Sequence, residues 1–113
     1  MLQAAYENTA TISTSEYSLP NNSTTLTPLT LSGVFQGFID FSAMLAGDKY
    51  TIKVKDKVVQ SGTQRTLYTA YLDGLQVAPF VIPAFCLMHG WDITVQRTAG
   101  TDRSIGWSLR QVA

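Results

Sequence analysis

The chain has 113 residues, the length of a single domain, and eight basic side chains balance eight acidic ones. Only 14% of the residues are charged, and the formal net charge is zero. The surface therefore lacks the excess of cations that binds a phosphate backbone, and we do not expect nucleic acid as a partner. A single cysteine, Cys86, excludes an intrachain disulfide. No apolar run is long enough to cross a membrane, and the first residues show no secretory signal, so we expect synthesis in a cytoplasm.

The first thirty residues predict a strand and a loop. The stretch "TATISTSEYS" (Thr9–Ser18) is rich in β-branched residues and predicts a strand at a sheet edge. The stretch "LPNNSTTLTP" (Leu19–Pro28) contains residues that favour loops. We therefore expect residues 1–30 to form an N-terminal strand and loop, a candidate for an extended arm, and residues 31–113 to form the main domain.

The middle of the chain alternates strands and turns. "GVFQGFID" predicts a strand over Gly33–Asp40, and "SAMLAGD" predicts one helical turn or a tight connection over Ser42–Asp48. "KYTIKVKDKVV" alternates apolar and charged residues and is the clearest strand. Its lysines, Lys53, Lys55 and Lys57, form a one-sided row. Such a row is typical of a solvated face or a protected edge strand, and a docking surface for an acidic partner is the alternative.

The last third predicts short strands and a closing hairpin. In "LQVAPFVIPAFCLMHGW", Pro79 and Pro83 break the apolar run, so we place a strand near Ala84–His89. "WDITVQRTAGTDRSIGWSLRQV" predicts two strands around a tight turn. The total is seven or eight short strands with regularly spaced turns. This spacing predicts an all-β protein, an antiparallel β-sandwich of jelly-roll-like type.

No catalytic or metal-binding constellation is visible. Cys86 and His89 have an odd spacing, which sends them to opposite faces of a strand, and too few further ligands exist for a zinc site. No nucleophile elbow is present, and most carboxylates fall at turns, where aspartate is expected for conformational reasons. We predict a protein that is not an enzyme and that uses no metal or cofactor.

Three other side chains are candidates for partner binding. The turns "GTQR" and "GTDR" each join a glycine to an arginine, Arg65 or Arg103. Two ordinary hairpin turns are favoured, and the alternative is that both turns lie at one end of the sandwich and present the arginines to acidic partners. Trp107 alternates with apolar residues and is expected in the core. Trp91 follows a glycine at a strand start and is expected to be exposed, as a partner or sugar contact.

The block "LMHGWDITVQRTAGTDRSIGWSLRQV" resembles the C-terminal end of a set of small tailed-phage virion structural proteins. The similarity extends upstream through "VFQGFIDFSAMLAGDKYTIKVKDKV" and "GTQRTLY", so it covers roughly residues 31–112.

The resemblance implies a capsid cement or decoration protein on the surface of the virion. Its partner would be the major capsid protein, and it would act as a homo-oligomer, with a trimer favoured because capsids offer threefold positions. The alternatives are a head–tail or tail-fibre component, and a carbohydrate-binding sandwich.

Overall fold

The structure is a computed structural model that describes residues 3–113. Eight strands make up the described chain, and no helix occurs among them. The strands are β1 Gln3–Ile12, β2 Tyr17–Ser18, β3 Gly33–Asp40, β4 Lys49–Asp56, β5 Arg65–Asp73, β6 Phe80–Leu87, β7 Asp92–Ala99 and β8 Arg103–Gln111.

The strands form two antiparallel four-stranded sheets, in the orders β1-β8-β3-β6 and β2-β7-β4-β5. Four of the pairings are nested around the middle of the chain: β4 with β5, β3 with β6, β2 with β7, and β1 with β8. Nested pairs of this kind arise when one long hairpin is folded over on itself, which is the topology of a jelly roll. The predicted all-β antiparallel sandwich is confirmed.

The core lies between the two sheets. Along β8, Ile105, Trp107 and Leu109 are buried while their neighbours are more exposed, as period-two patterning requires. Along β3, Phe35 and Ile39 face the same core. The expected core position of Trp107 is confirmed. Its indole N–H is buried without a hydrogen-bond acceptor in the described part of the chain.

The N-terminal strand and loop pack against the sandwich. β1 pairs with β8 over its whole length and ends at Ile12, and Tyr17–Ser18 forms a separate strand, so the predicted strand over Thr9–Ser18 had the wrong bounds. Leu19 is buried in the core, and Leu29 pairs with Trp91. An extension of this segment over neighbouring subunits stays a prediction.

β6 runs through Pro83, so the prediction of a strand beginning only at Ala84 was wrong. β6 is an outer strand of its sheet, where proline is tolerated because its missing N–H costs no ladder bond on the open side. Its register with β3 also shifts between Phe35 and Gly37, which accommodates the proline in a bulge.

The connections collect at two opposite ends of the sandwich. We call the first the Gly90 end; it comprises the connections 19–32, 57–64 and 88–91. The second is the Gly100 end, and it comprises the connections 13–16, 41–48, 74–79 and 100–102. Strands β4 and β5, like the other long strands, run from one of these ends to the other.

Candidate functional site

Trp91 is buried, and its predicted exposure was wrong. Its ring is 0% exposed and packs 4.6 Å from the ring of Phe35 and 5.9 Å from that of Tyr6. Its indole N–H donates a 2.8 Å hydrogen bond to the carbonyl oxygen of Leu31. The loop that precedes β3 covers it through the pairing with Leu29. A ring in this position cannot stack on a sugar or touch a partner, so the sugar platform built on Trp91 is excluded.

Arg65 and Arg103 lie at opposite ends of the sandwich, so the alternative interpretation, that both turns share one end, was wrong. Arg65 opens β5 opposite Asp56, at the Gly90 end of β4. Arg103 opens β8 and reaches Asp48, just before the other end of β4. Eight residues of strand separate the two positions, which is about 25 Å at the usual rise per residue.

Arg103 is part of a structural cluster at the Gly100 end. Its Nε donates to Asp48 Oδ2 at 2.7 Å, and its backbone N–H donates to the hydroxyl of Tyr50 at 2.8 Å. The carboxylate of Asp48 also accepts the backbone N–H groups of Leu45 and Thr101, both at 2.9 Å. These N–H groups, together with the guanidinium, hold the pKa of Asp48 at about 2. The cluster ties the β3–β4 connection to the β7–β8 turn.

The lysine row lies on the outer face of an inner strand. β4 is bonded to β5 on one side and to β7 on the other, so the edge-strand interpretation of the row was wrong. Lys55 is engaged, because its Nζ lies 2.6 Å from Glu16 Oε2. Partial burial raises the pKa of Glu16, but the ion pair with Lys55 and the hydrogen bonds from Lys55 and Thr94 outweigh this effect, so the pKa is lowered. Lys53 and Lys57 make no ion pair within the described residues.

Two further buried aspartates hold connections. Asp56 accepts the backbone N–H groups of Met88 and His89, each at 3.0 Å, and so anchors the turn between β6 and β7. Asp92 is 1% exposed and accepts the Ser18 hydroxyl at 2.7 Å, which ties β2 to β7. Burial raises the pKa of Asp92 to about 6. Sequence reasoning missed both roles, because an aspartate at a strand end reads as a turn residue.

The described residues hold no group of three or more His, Cys, Asp or Glu side chains that would bind a metal ion. Cys86 is exposed on β6, and His89 lies in the next turn. Asp48 lies at the Gly100 end, whereas Asp56 and Asp92 lie on the neighbouring strands β4 and β7 at the Gly90 end. Each is engaged with backbone or side-chain donors. Asp92 is hydrogen-bonded to the hydroxyl of Ser18, and both side chains are buried, with 1% and 0% of their surface exposed.

One shallow depression lies on the outer face of the sheet that contains β8. It has a volume of about 220 Å³ and is open to solvent. The residues that line it include Phe38, Asp40, Pro79, Gly106 and Ser108. The guanidinium of Arg110 stacks 4.2 Å from the centre of the Phe38 ring, beside this depression.

Exposed apolar side chains are concentrated in the connections. Of the eleven exposed large apolar residues in the described part of the chain, three lie in strands: Leu67, Tyr71 and Val81. The other eight lie in the connections at the two ends. At the Gly90 end they are Leu26, Leu31, Val58, Val59 and Met88, and at the Gly100 end they are Leu45, Leu75 and Val77. Exposed apolar residues that cluster on a small surface commonly mark contacts with other proteins.

No family model, curated protein or solved structure matches this chain. Residues 3–113 hold no helix with the length and apolar character that crossing a bilayer demands.

Proposed function

We propose that this protein is a capsid cement or decoration protein of a tailed phage. It is made in the host cytoplasm and binds the major capsid protein on the surface of the virion as a homo-oligomer. The proposal starts from the resemblance of residues 31–112, above all "HGWD" and "GTDR" with the strand "SIGWSLR" that follows, to small phage virion proteins.

The observation that carries the proposal is the display of apolar side chains at both ends of one rigid sandwich. Val58 and Val59 are 77% and 57% exposed at the Gly90 end, and Leu75 and Val77 are 63% and 93% exposed at the Gly100 end. A protein that cements a shell has to contact more than one capsid subunit. Two apolar ends joined by a stiff body suit that task, whereas an enzyme or a simple ligand carrier needs one concave site.

Other connections at these two ends, including those that carry the exposed Leu45 and Met88, are held in place before binding. Asp48 binds the connection that precedes β4 and the turn that precedes β8, and Asp56 binds the turn that precedes β7. A surface that is already ordered loses less conformational entropy on association. Preorganisation of this kind favours tight binding by a body as small as this one.

Self-association of the protein would add to the number of contacts with the shell. The formal net charge of zero removes one source of repulsion between copies. A trimer on a threefold position of the shell is the arrangement that we propose, because it repeats the same end-on contact three times.

The experiment is co-sedimentation of the purified protein with shells assembled from the major capsid protein of the same phage. We expect binding that saturates at a simple ratio of bound copies to capsid subunits, read by quantitative gel. Absence of binding would contradict the proposal. Binding at a single vertex of the shell would also contradict it and would favour a head–tail or tail-fibre component.

A further inference from the structure

We infer that the Gly90 end is the docking face for an acidic protein surface with an apolar centre. The inference rests on the proposed function, since it assigns a surface chemistry to one of the two shell contacts. It names the chemistry of the capsid surface that this end fits: an apolar patch with carboxylates around it.

Three connections converge at the Gly90 end to form one surface. The backbone of Gly90 is in contact range of two of them: a Cβ at this residue would lie 3.3 Å from Lys57 Cε and 3.5 Å from Pro28 Cβ. The side-chain amide of Gln64 donates to the Gly90 carbonyl oxygen at 3.0 Å. The exposed apolar side chains at this end therefore belong to neighbouring segments of a continuous surface.

Two cations accompany these apolar side chains. Lys57 immediately precedes Val58, and Arg65 begins the strand that leaves the same connection. Neither makes an ion pair within the described residues. The aspartates nearest to them in the fold, Asp56 and Asp92, are 4% and 1% exposed. The described side chains at this end thus present positive charge without an exposed carboxylate to balance it.

The Gly100 end has the opposite character. Its exposed aspartates are Asp40, Asp73 and Asp102. Its cations are engaged, since Arg103 pairs with Asp48, Arg97 with Asp102, and Lys49 with Asp73. Among the described residues, the Gly90 end therefore holds cations without an ion-pair partner, whereas Lys49, Arg97 and Arg103 at the Gly100 end are all paired, although the formal net charge of the chain is zero. Such asymmetry orients an approaching partner, so carboxylates are drawn to the Gly90 end.

The first test uses a mixed-mode chromatography resin whose ligand joins an aromatic ring to a carboxylate. The double variant K57Q/R65Q and the double variant V58S/V59S are compared with the wild type. The matched controls are K49Q/R110Q, which removes the same charge elsewhere, and L75S/V77S, which removes two aliphatic residues from the Gly100 end. We expect both Gly90-end variants to elute at lower salt than the wild type and than their controls. Equal retention of variants and controls would overturn the inference and leave the proposed function untouched.

The second test repeats the comparison with capsid shells. We expect K57Q/R65Q to raise the apparent Kd about tenfold, the effect of losing roughly 1.4 kcal/mol of binding free energy, and to flatten its salt dependence. K49Q/R110Q should bind like the wild type. Shell binding that responds only to K49Q/R110Q would overturn the inference while supporting the proposed function.

The third test separates a protein partner from a lipid surface. Vesicles of phosphatidylcholine with phosphatidylserine are mixed with the wild type and with K57Q/R65Q. We expect no binding that depends on these two cations. Vesicle binding that K57Q/R65Q abolishes, together with no binding to shells, would overturn the inference in favour of an anionic membrane.

Discussion

Three aspartates, Asp48, Asp56 and Asp92, are buried, and each binds a different segment of the sandwich. A buried carboxylate is tolerated only where donors replace its water, and in each case at least one donor is a backbone N–H or a hydroxyl of a segment distant in sequence. The three residues therefore fix distant segments of the chain to one another. At Asp48 the donors outweigh burial and lower the pKa, whereas at Asp92 burial outweighs them and raises it.

Asp92 gives the stability of the protein a distinctive pH dependence. Its pKa of about 6 in the folded state lies above the ordinary value of 3.8, so the folded state holds the proton more tightly. The stabilisation that comes from this tighter proton binding by Asp92 is complete below about pH 4 and is lost as the pH rises through about 6. Replacing Asp92 with Asn, which cannot ionise, should raise the free energy of unfolding at pH 7.5, by at most about 3 kcal/mol.

The measurement is urea denaturation of the wild type and D92N at several values between pH 5 and pH 8. Glu16 and Asp48 have lowered pKa values, so their contributions are lost only at more acidic pH and do not interfere in this window. The difference between the two proteins should grow as the pH rises through about 6. A constant difference would show that Asp92 does not titrate in this range.

Trp91 should contribute to stability and not to surface recognition. The variant W91A should lower the free energy of unfolding by about 3–5 kcal/mol, because it leaves a large cavity beside Phe35. The control Y71A removes an aromatic ring that is 78% exposed, and it should change stability by less than about 0.5 kcal/mol. Urea denaturation compares the two. Equal, small effects would contradict the buried position of Trp91.

The wrong prediction for Trp91 has a physical reason. Its local sequence, a glycine followed by a strand start, gives no sign of the segment that covers it. That segment is the loop around Leu29 and Leu31, sixty residues earlier, which pairs with Trp91 and accepts its N–H. Trp107 was predicted correctly because the alternation with Ile105 and Leu109 is local.

At the scale of the elements, the outer strands are each interrupted or short. β1 has a register shift at Ala4/Tyr6, β5 has an extra residue opposite Val54/Lys55, and β6 contains Pro83. β2 has only two residues. Bulges, prolines and short strands all discourage uncontrolled edge-to-edge pairing. Pro83 therefore fits an outer strand, a position that no local pattern in the sequence could assign to β6.

The β7–β8 turn offers a direct test of the Asp48 cluster. Gly100 has a φ of 88°, and a Cβ there would lie 2.2 Å from Asp48 Oδ1 and 2.6 Å from Asp48 Cα. Gly74 has a φ of 76°, but a Cβ there would meet open space. G74A should therefore cost roughly 1–2 kcal/mol through backbone strain alone, and G100A should cost distinctly more.

Thermal denaturation of the two glycine variants provides the comparison. The Tm of G100A should fall well below that of G74A. A similar Tm for both would show that the turn can move away from Asp48 without loss.

At the scale of the whole molecule, the alternation of apolar and polar residues and the spacing of the turns predicted the sandwich. The partner of each strand, however, is set by contacts between residues far apart in sequence. The pairing of β1 with β8 joins the two ends of the described chain. This pairing, together with the nested order of the other strands, decides which turns share an end. The likeness of their turns raised the alternative that Arg65 and Arg103 share one end, and the fold separates them by the length of β4.

The same topology separates paired from unpaired cations. Among the described residues, Lys57 and Arg65 at the Gly90 end make no ion pair, while Lys49, Arg97 and Arg103 at the Gly100 end each pair with an aspartate. Neither composition nor local charge patterning shows this asymmetry, because the totals cancel. The difference between the two ends arises only when the long hairpin is folded, because folding places some connections at one end and the others at the opposite end.

The central claim is that both ends of the sandwich bridge capsid subunits, and the melting temperature of decorated shells tests it most directly. Shells are saturated with the wild type, with V58S/V59S or with L75S/V77S, and occupancy is confirmed by gel. We expect the wild type to raise the melting temperature of the shell. Each variant, at equal occupancy, should raise it less, because one end no longer holds its subunit. Shells that melt at the same temperature with and without bound wild-type protein would contradict the account.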